Sequence, residues 1–417
     1  MNAHIITIGD EILIGQVLNT NAAYIGEKLT QHQICVNGSS IVGDVRKKII
    51  AEFKRAFNEN DVLLVTGGLG PTHDDITLEC IAEFFKTELV VDENVLSDIK
   101  KFFEVRDRKL TETNQKQALV PENAIPIRNS KGTAPGVWIE KNGKIFAAMP
   151  GVPYEMKEMM TGFVLPKLDK MVDTNKVTVI KNLLATGIPE SNLFDKLGNM
   201  DELLQGAKMA FLPNQYGVRM RVTSEGATNN DAQNKIDEIE QKIRAKVGKF
   251  IYGIENDTLE SVLANLLIER GLKISVAESC TGGLISHRLT NISGSSIYFE
   301  RGITAYSNTA KVELLQVDED VIQKFGAVSK EVAEQMAQGI KSISGSDIGL
   351  SVTGILGPTG DTPTKPVGYV IIAVCDDKSC ISKVFRFGDD RLLNKDRTSQ
   401  AALEMVRRNL LGIPYED

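Results

Sequence analysis

Apolar residues recur along this chain with two different periods. Short runs that end at glycine or proline, HIITIG (4–9), DVLLVTGG (61–68) and KIFAAMPG (144–151), predict buried strands. Between them, NAAYIGEKLTQH (21–32) and ITLECIAEFFK (76–86) carry apolar residues at helical spacing. Nearly continuous apolar strands separated by helices predict a mostly parallel sheet covered on both faces. Ligands of such sheets bind beyond the carboxyl ends of the strands, where the glycine-rich turns of this chain fall.

The pattern changes at Asn175. A strand at KVTVIKNLLATG (176–187), a helix at PESNLFDKL (189–197), a strand at GVRMRVTS (217–224) and a helix at DAQNKIDEIEQKIRAKVG (231–248) predict a small α+β module of the KH type. A third region follows. The helix ENDTLESVLANLLIERG (255–271) leads into a strand, KISVAESC (273–280), and a helix, TGGLISHRLTNI (281–292). Further strands are expected at GITAYS (302–307), IGLSVTG (348–354) and VGYVIIAVC (367–375), with a last helix over 396–412. The expected fold class is α/β: two α/β domains with mostly parallel sheets, 1–170 and 255–417, joined by a KH-like domain at 171–254. The last domain has ordinary domain size and is expected to fold and act alone.

Composition narrows the functions. A net charge of −7 over 417 residues argues against non-specific nucleic-acid binding. From Met171 to Glu255 the chain carries eleven basic and eleven acidic side chains and no GxxG loop, so no direct nucleic-acid partner is expected there either. No apolar run is long enough for a bilayer, and no signal peptide is read, so the expected location is cytoplasmic, without a membrane partner. Cysteines at 35, 80, 280, 375 and 380 lack zinc-finger spacing and suit reduced thiols.

Two stretches carry chemistry. TGGLGPTHDD (66–75) follows a strand, and its exposed amides suit a phosphate, with Thr66, Gly67, Gly68, Gly70 and Thr72 as contacts. It is neither a Walker loop nor the dinucleotide fingerprint. Asp74 and Asp75, with Asp10 and Glu11 after the first strand, are the type of groups that share a hard divalent cation with a substrate. Helix capping by the same residues is the alternative.

VAESCTGG (276–283) sets Ser279, Cys280 and Thr281 side by side. A nucleophile needs a base. Of four histidines only His287 is near, and eight helical residues carry it ~12 Å along the axis. A lysine remains: Tyr306 and Lys311 lie five residues apart in TAYSNTAK. Burial lowers a lysine pKa toward a useful range. Amides after Ser279 suit an oxyanion, and those of the TGG and TGILGPTG turns suit a phosphate. Arg397 is the expected phosphate clamp, with Arg391 as alternative. Cys280 is expected to pack.

Together TGGLGPTHDD, GDEILIGQVLNTN, ALVPENAIPIRNSKGTAPG and MPGVPYEM resemble the MoaB/MogA-like, molybdopterin-binding fold as it occurs in the CinA family. VAESCTGG, YSNTAK and KPVGYV resemble that family's C-terminal nicotinamide-nucleotide amidase domain. The resemblance implies an N-terminal ADP-ribose pyrophosphatase using a divalent metal (Mg, Mn or Co). It also implies a metal-free C-terminal deamidase of nicotinamide mononucleotide, with Ser279 as nucleophile and Tyr306 and Lys311 as its partners. Substrate contacts are then expected at Glu278, Cys280, Thr281, Gly282, Gly283, Asn308, Thr353, Gly354, Gly357 and Arg397. Leu356 stands where the family more often has alanine. A homodimer is the expected assembly. The competing readings are a pterin-binding protein and a non-enzymatic partner in DNA uptake or repair.

Overall fold

The structure, a computed structural model, describes residues 1–107, 109–171 and 177–415. Asn175, Lys176 and Asp417, which bound expected segments, lie outside the described residues. The chain forms two compact units, Met1–Thr178 and Val179–Asp417.

In the first unit β1 (Asn2–Ile8), β2 (Cys35–Val42), β3 (Val62–Thr66), β4 (Leu89–Val91), β5 (Leu119–Pro121), β6 (Ile125–Ile127), β7 (Gly136–Lys141) and β8 (Lys144–Met149) follow in order. Six of them make one sheet, β2-β1-β3-β8-β7-β6. The pairings from β2 through β8 are parallel, and β7 and β6 add antiparallel pairings at one edge. Alternate residues of β3 enter separate cores: Leu64 packs with Ile5 and Trp138, while Leu63 and Val65 pack with Ile6 and Phe146. A strand buried on both faces has no polar face to show, which is why these runs read as uniformly apolar. The motif-bearing turns leave the adjacent carboxyl ends of β1, β3 and β8.

The second unit opens with β9 (Val177–Ala185), β10 (Lys208–Asn214), β11 (Gly217–Gly226) and β12 (Ile251–Ile254), in the order β10-β11-β9-β12. The helix Asn229–Val247 buries Ile236, Ile239, Ile243 and Val247 on this sheet. The sequence pattern shows only β9, β11 and the two longer helices. It misses β10, whose residues are all at least partly exposed, and the four-residue β12.

The remaining strands are β13 (Ile274–Glu278), β14 (Phe299–Thr304), β15 (Ile348–Ile355), β16 (Tyr369–Cys375) and β17 (Cys380–Arg386), ordered β14-β13-β15-β16-β17. β13 is parallel to both neighbours, and β16–β17 is an antiparallel hairpin outside them. Cys375 and Cys380 face each other across that hairpin and are joined as a disulfide, which corrects the expectation of five free thiols.

Hydrogen bonds within the second unit cross the expected boundary at 254/255. Arg407 Nη2 donates to Lys249 O (3.0 Å) and Gln400 Nε2 to Thr186 Oγ1 (3.3 Å), tying the C-terminal helix to the middle module. Among the described residues no helix is long and apolar enough to cross a membrane.

Candidate active sites

The N-terminal cavity, about 440 Å³, opens at the ends of β1, β3 and β8. Gly67 and Gly68 turn the chain there with φ of 108° and 66°. A Cβ on Gly67 would sit 2.1 Å from Ile8 O, and one on Gly68 2.2 Å from Thr77 Oγ1, so only glycine fits either position. Thr66 is wholly buried; its hydroxyl donates to Pro150 O (3.0 Å) and accepts from Asn21 Nδ2 (3.1 Å). Thr66 thus clamps MPGVPYEM to the glycine loop, while Gly67, Gly68 and Gly70 line the cavity. Asn129 donates to Glu155 Oε2 (2.7 Å), which brings the SKGTAPG loop to the same wall.

Residues missed from the pattern complete this site. Asn21 Oδ1 and Gln117 Oε1 line the cavity, buried and without a hydrogen-bond partner. Two orphaned acceptors are a cost unless a ligand donates to them. Asp44 is the other addition. Its pKa is raised, first by burial and then by the Asp10, Glu11 and Asp74 carboxylates, against one hydrogen bond from the Asp10 amide.

The four carboxylates expected to hold a metal are placed unequally. Glu11 and Asp74 line the cavity with Asp44 and Asp75. Asp10 is turned to the loop, accepting from Asp44 N (3.3 Å), and Asp75 accepts from Thr72 N (2.9 Å). Thr72 therefore closes a local turn. Neither acid caps the following helix, whose N-cap is Ile76 without a side-chain bond. Among the described residues no three His, Cys, Asp or Glu side chains gather as a ligand set. The acidic rim fits a hard cation in donor type and charge but is not a closed shell; such a cation needs substrate oxygens as well.

In the second unit Ser279 follows β13, flanked by the ends of β14 and β15. Its amide donates to Val352 O (3.0 Å), and its hydroxyl makes no hydrogen bond among the described residues. Glu278 was expected to contact substrate. It is wholly buried and instead accepts from Gly283 N (3.0 Å), Ile285 N (3.1 Å), Ser286 N (2.8 Å) and Ser286 Oγ (2.7 Å). It caps the helix Leu284–Thr290, so those amides are committed and unavailable to an oxyanion. The amides of Cys280 and Thr281 have no backbone acceptor among the described residues and remain for that role. Cys280 packs in the core of this sheet, and burial pushes its thiol up to about 12. Thr281 is buried with its hydroxyl unpaired.

Lys311 is 2% exposed, and its Nζ donates to Ala305 O and Tyr306 O, both at 3.1 Å. Burial lowers its pKa; the Cys280 thiol opposes this. Tyr306, 61% exposed, accepts from Arg391 Nη2 (3.1 Å). No hydrogen bond joins Ser279 to Lys311 or Tyr306 among the described residues. Arg391 also donates to Gly357 O (2.7 Å) and acts electrostatically on Cys280. A cation in the first turn of the helix Arg391–Leu411 opposes the helix dipole, so its placement is not one that stabilises the helix. The helix starts at Arg391, five residues before its expected start, capped by Asp390.

Arg391, the alternative, therefore stands at this site, whereas Arg397 lines a different cavity. One helical turn on from Arg391, Lys395 is a further cation that sequence reasoning missed: a Cβ on Gly282 would lie 3.6 Å from its Nζ. Thr353 is buried and donates to Ala327 O (2.9 Å), which withdraws its hydroxyl from substrate. Gly354 lies in β15 against Val370, Asn308 is exposed at a helix start, and Leu356 is buried in the core. The leucine therefore fills the core behind the site.

These features define a multidomain α/β protein with a cavity at the strand ends of the first sheet and a serine loop at the strand ends of the C-terminal one. Residues 256–410 match the "CinA C-terminal domain", 4–170 the "Probable molybdopterin binding domain" and 180–253 the "Damage-inducible protein CinA KH domain". A CinA-like protein of Kosmotoga olearia is 43% identical, covering 99% of this chain and 100% of that one. A CinA-like protein of Chloroherpeton thalassium is 42% identical over 98% and 99%. The crystal structure of a competence/damage inducible protein from Agrobacterium tumefaciens is 39% identical, covering 37% of this chain and 97% of that one, with a TM-score of 0.35. The chain belongs to the CinA family.

Proposed function

We propose that the protein is a bifunctional hydrolase of pyridine-nucleotide metabolism. The C-terminal site deamidates nicotinamide mononucleotide to nicotinate mononucleotide and ammonia. The N-terminal site cleaves ADP-ribose to AMP and ribose 5-phosphate with a divalent cation.

The observation that carries the reading is Ser279, its hydroxyl unengaged at the end of β13, in a loop acted on by the charge of buried Lys311. Neutral Lys311 still has two protons for the carbonyls at 3.1 Å and a lone pair for the Ser279 proton, received directly or through Tyr306. The pyridinium of the substrate pushes the lysine further toward the neutral form. Ser279 Oγ then bonds to the carboxamide carbon, and the oxyanion draws on the Cys280 and Thr281 amides. The C–N bond breaks, ammonia leaves with the proton, and water cleaves the acyl-serine. Arg391 and Lys395 supply positive charge for the substrate phosphate.

At the N-terminal site the orphaned Asn21 and Gln117 oxygens suit hydroxyl or amino donors of a nucleoside, and the glycine-loop amides suit its phosphates. Glu11, Asp44 and Asp74, which line the cavity, are the groups that would hold the cation together with substrate oxygens, and it would supply charge neutralisation at the diphosphate. Incubation of the pure protein with nicotinamide mononucleotide and with ADP-ribose, each with and without divalent metal, followed by product analysis, tests both halves. Absence of nicotinate mononucleotide and of AMP under all conditions would reject them.

A further inference from the structure

A second cavity of the Val179–Asp417 unit, about 790 Å³, lies where the middle module meets the C-terminal sheet. Five cations line it: Lys196, Lys383, Arg386, Arg397 and Arg408. The one acid on its wall, Glu404, is already committed: its oxygens accept from Arg407 Nε (2.7 Å), Arg407 Nη2 (2.9 Å) and Arg408 Nε (2.7 Å). Arg408 and Lys383 also donate to the carbonyls of Pro414 (3.3 Å) and Tyr415 (3.1 Å). Lys196, Arg386 and Arg397 make no hydrogen bond or ion pair among the described residues. Three unneutralised cations around one cavity repel one another unless an anion joins them.

The walls are aromatic as well as cationic. Phe385 and Phe387 lie nearly parallel, 9° apart with centroids at 6.0 Å, and Tyr216 also lines the cavity, with Arg288 5.0 Å from its ring. Flat faces beside cations suit a planar ring that carries negative charge. Tyr415, which also lines this cavity, has a buried hydroxyl without a partner among the described residues. The volume is that of a small-molecule site.

We propose that this cavity binds a mononucleotide, with its base against Phe385, Phe387 and Tyr216 and its phosphate held by Arg386, Arg397 and Lys196. The phosphate role expected of Arg397 is thereby met away from Ser279. A nucleic-acid strand fits less well. From Met171 to Glu255 the chain is charge-balanced, with eleven basic and eleven acidic side chains, so no basic track leads away from the cavity for a backbone to follow. The site is independent of both hydrolytic readings, although the helix Arg391–Leu411 carries Arg391 toward one site and Arg397 toward the other.

Calorimetric titration of the full chain with AMP, adenosine and inorganic phosphate tests this. Any AMP binding at the N-terminal cavity is untouched by these substitutions, so the difference between wild type and Arg386→Gln/Arg397→Gln isolates this cavity. One AMP-binding event is expected to weaken by at least about tenfold in the double variant, the loss of charge-assisted hydrogen bonds. Phe387→Leu is expected to weaken AMP while leaving inorganic phosphate unchanged. Both arginines are unpaired, so the double variant is expected to melt as wild type does. Should it unfold, Lys196→Gln on the middle-module wall carries the same expectation. Unchanged AMP isotherms in the folded variants, adenosine binding as tightly as AMP, or oligoadenylate binding tenfold tighter than AMP would each overturn the proposal.

Discussion

Ser286 donates both its amide (2.8 Å) and its hydroxyl (2.7 Å) to Glu278 Oε1, so the last residue of β13 caps the helix beyond the serine loop. The loop between is held closed from both ends. Glu278→Gln replaces one acceptor oxygen by a donor that faces backbone N–H groups. The expected loss is about 1–3 kcal/mol, the cost of unsatisfied buried groups. Urea unfolding measures it, and deamidase turnover should fall with it as the loop loosens. Wild-type stability in this variant would mean that the carboxylate does not organise the loop.

Among the three adjacent nucleophiles, burial separates the roles. The Cys280 thiol, pushed up to about 12 and packed in the core, stays protonated at neutral pH. Cys280→Ala should keep most of the deamidase rate and cost about 1 kcal/mol for the small cavity. Ser279→Ala should abolish turnover while nicotinamide mononucleotide still binds, because the phosphate contacts come from other side chains. A dead Cys280→Ala beside an active Ser279→Ala would establish a thiol mechanism instead.

Lys311 sets the pH dependence. Burial holds its folded pKa below the ordinary 10.5. Below the folded value the amine is charged and cannot take the serine proton. Deamidase kcat/KM should therefore rise with pH through that value and level off before 10.5. Stability follows the same sign: the unfolded chain binds the proton more tightly, so the penalty is full below the folded pKa and is relieved as pH rises toward the unfolded one. Lys311→Arg keeps the charge and should be inactive at every pH, since guanidinium does not deprotonate. A flat profile from about pH 6 to 10 would remove Lys311 as the base.

The strand ends that carry chemistry were legible because apolar runs stop at glycine. That Ser279 and Tyr306 follow neighbouring strands, β13 and β14, agrees with that pattern once the two strands are parallel. Other features were not legible. Glu278 was expected at the site only through the family resemblance, and only the helix that folds back over it shows the amides that its carboxylate binds. Arg391 and Arg397 are six residues apart in one helix, and which faces the serine depends on a start that the apolar pattern placed five residues late. Asp44, Asn21 and Gln117 come from three separate segments, and no local spacing links them. The Cys375–Cys380 pair is visible only through strand register.

Glu11, Asp44 and Asp74 line the N-terminal cavity, and no lysine or arginine stands on its wall among the described residues. Their mutual repulsion should be relieved by a divalent cation. Magnesium or manganese is expected to raise the Tm of the full chain, by linkage to the folded state. Asp44→Asn should raise the metal-free Tm and shrink the metal-induced shift. EDTA should abolish ADP-ribose cleavage and leave the deamidase intact. Equal loss of both activities in EDTA, with the fold retained, would contradict this division.

The last prediction concerns where the chain can be cut. The sequence pattern places a domain start at residue 255, but the compact unit begins at Val179. The helix Arg391–Leu411 spans both parts: Arg407 reaches Lys249 O, Gln400 reaches Thr186, and Arg408 lies 5.3 Å from the Phe250 ring. A fragment starting at residue 256 keeps Ser279, Tyr306, Lys311 and Arg391, the residues proposed for the deamidase. It also strips cover from Glu404, Arg407 and Arg408, a charged cluster now at most 3% exposed. Hydrating an ion pair that folding had already dehydrated costs little, whereas losing the apolar cover of Phe250 and Tyr216 costs the burial itself. The 256–417 fragment should therefore turn over nicotinamide mononucleotide but melt below a 179–417 fragment, which should match the unit within the full chain. Calorimetric melting of the two fragments decides it, and equal Tm values would show that the middle module contributes nothing to the C-terminal fold.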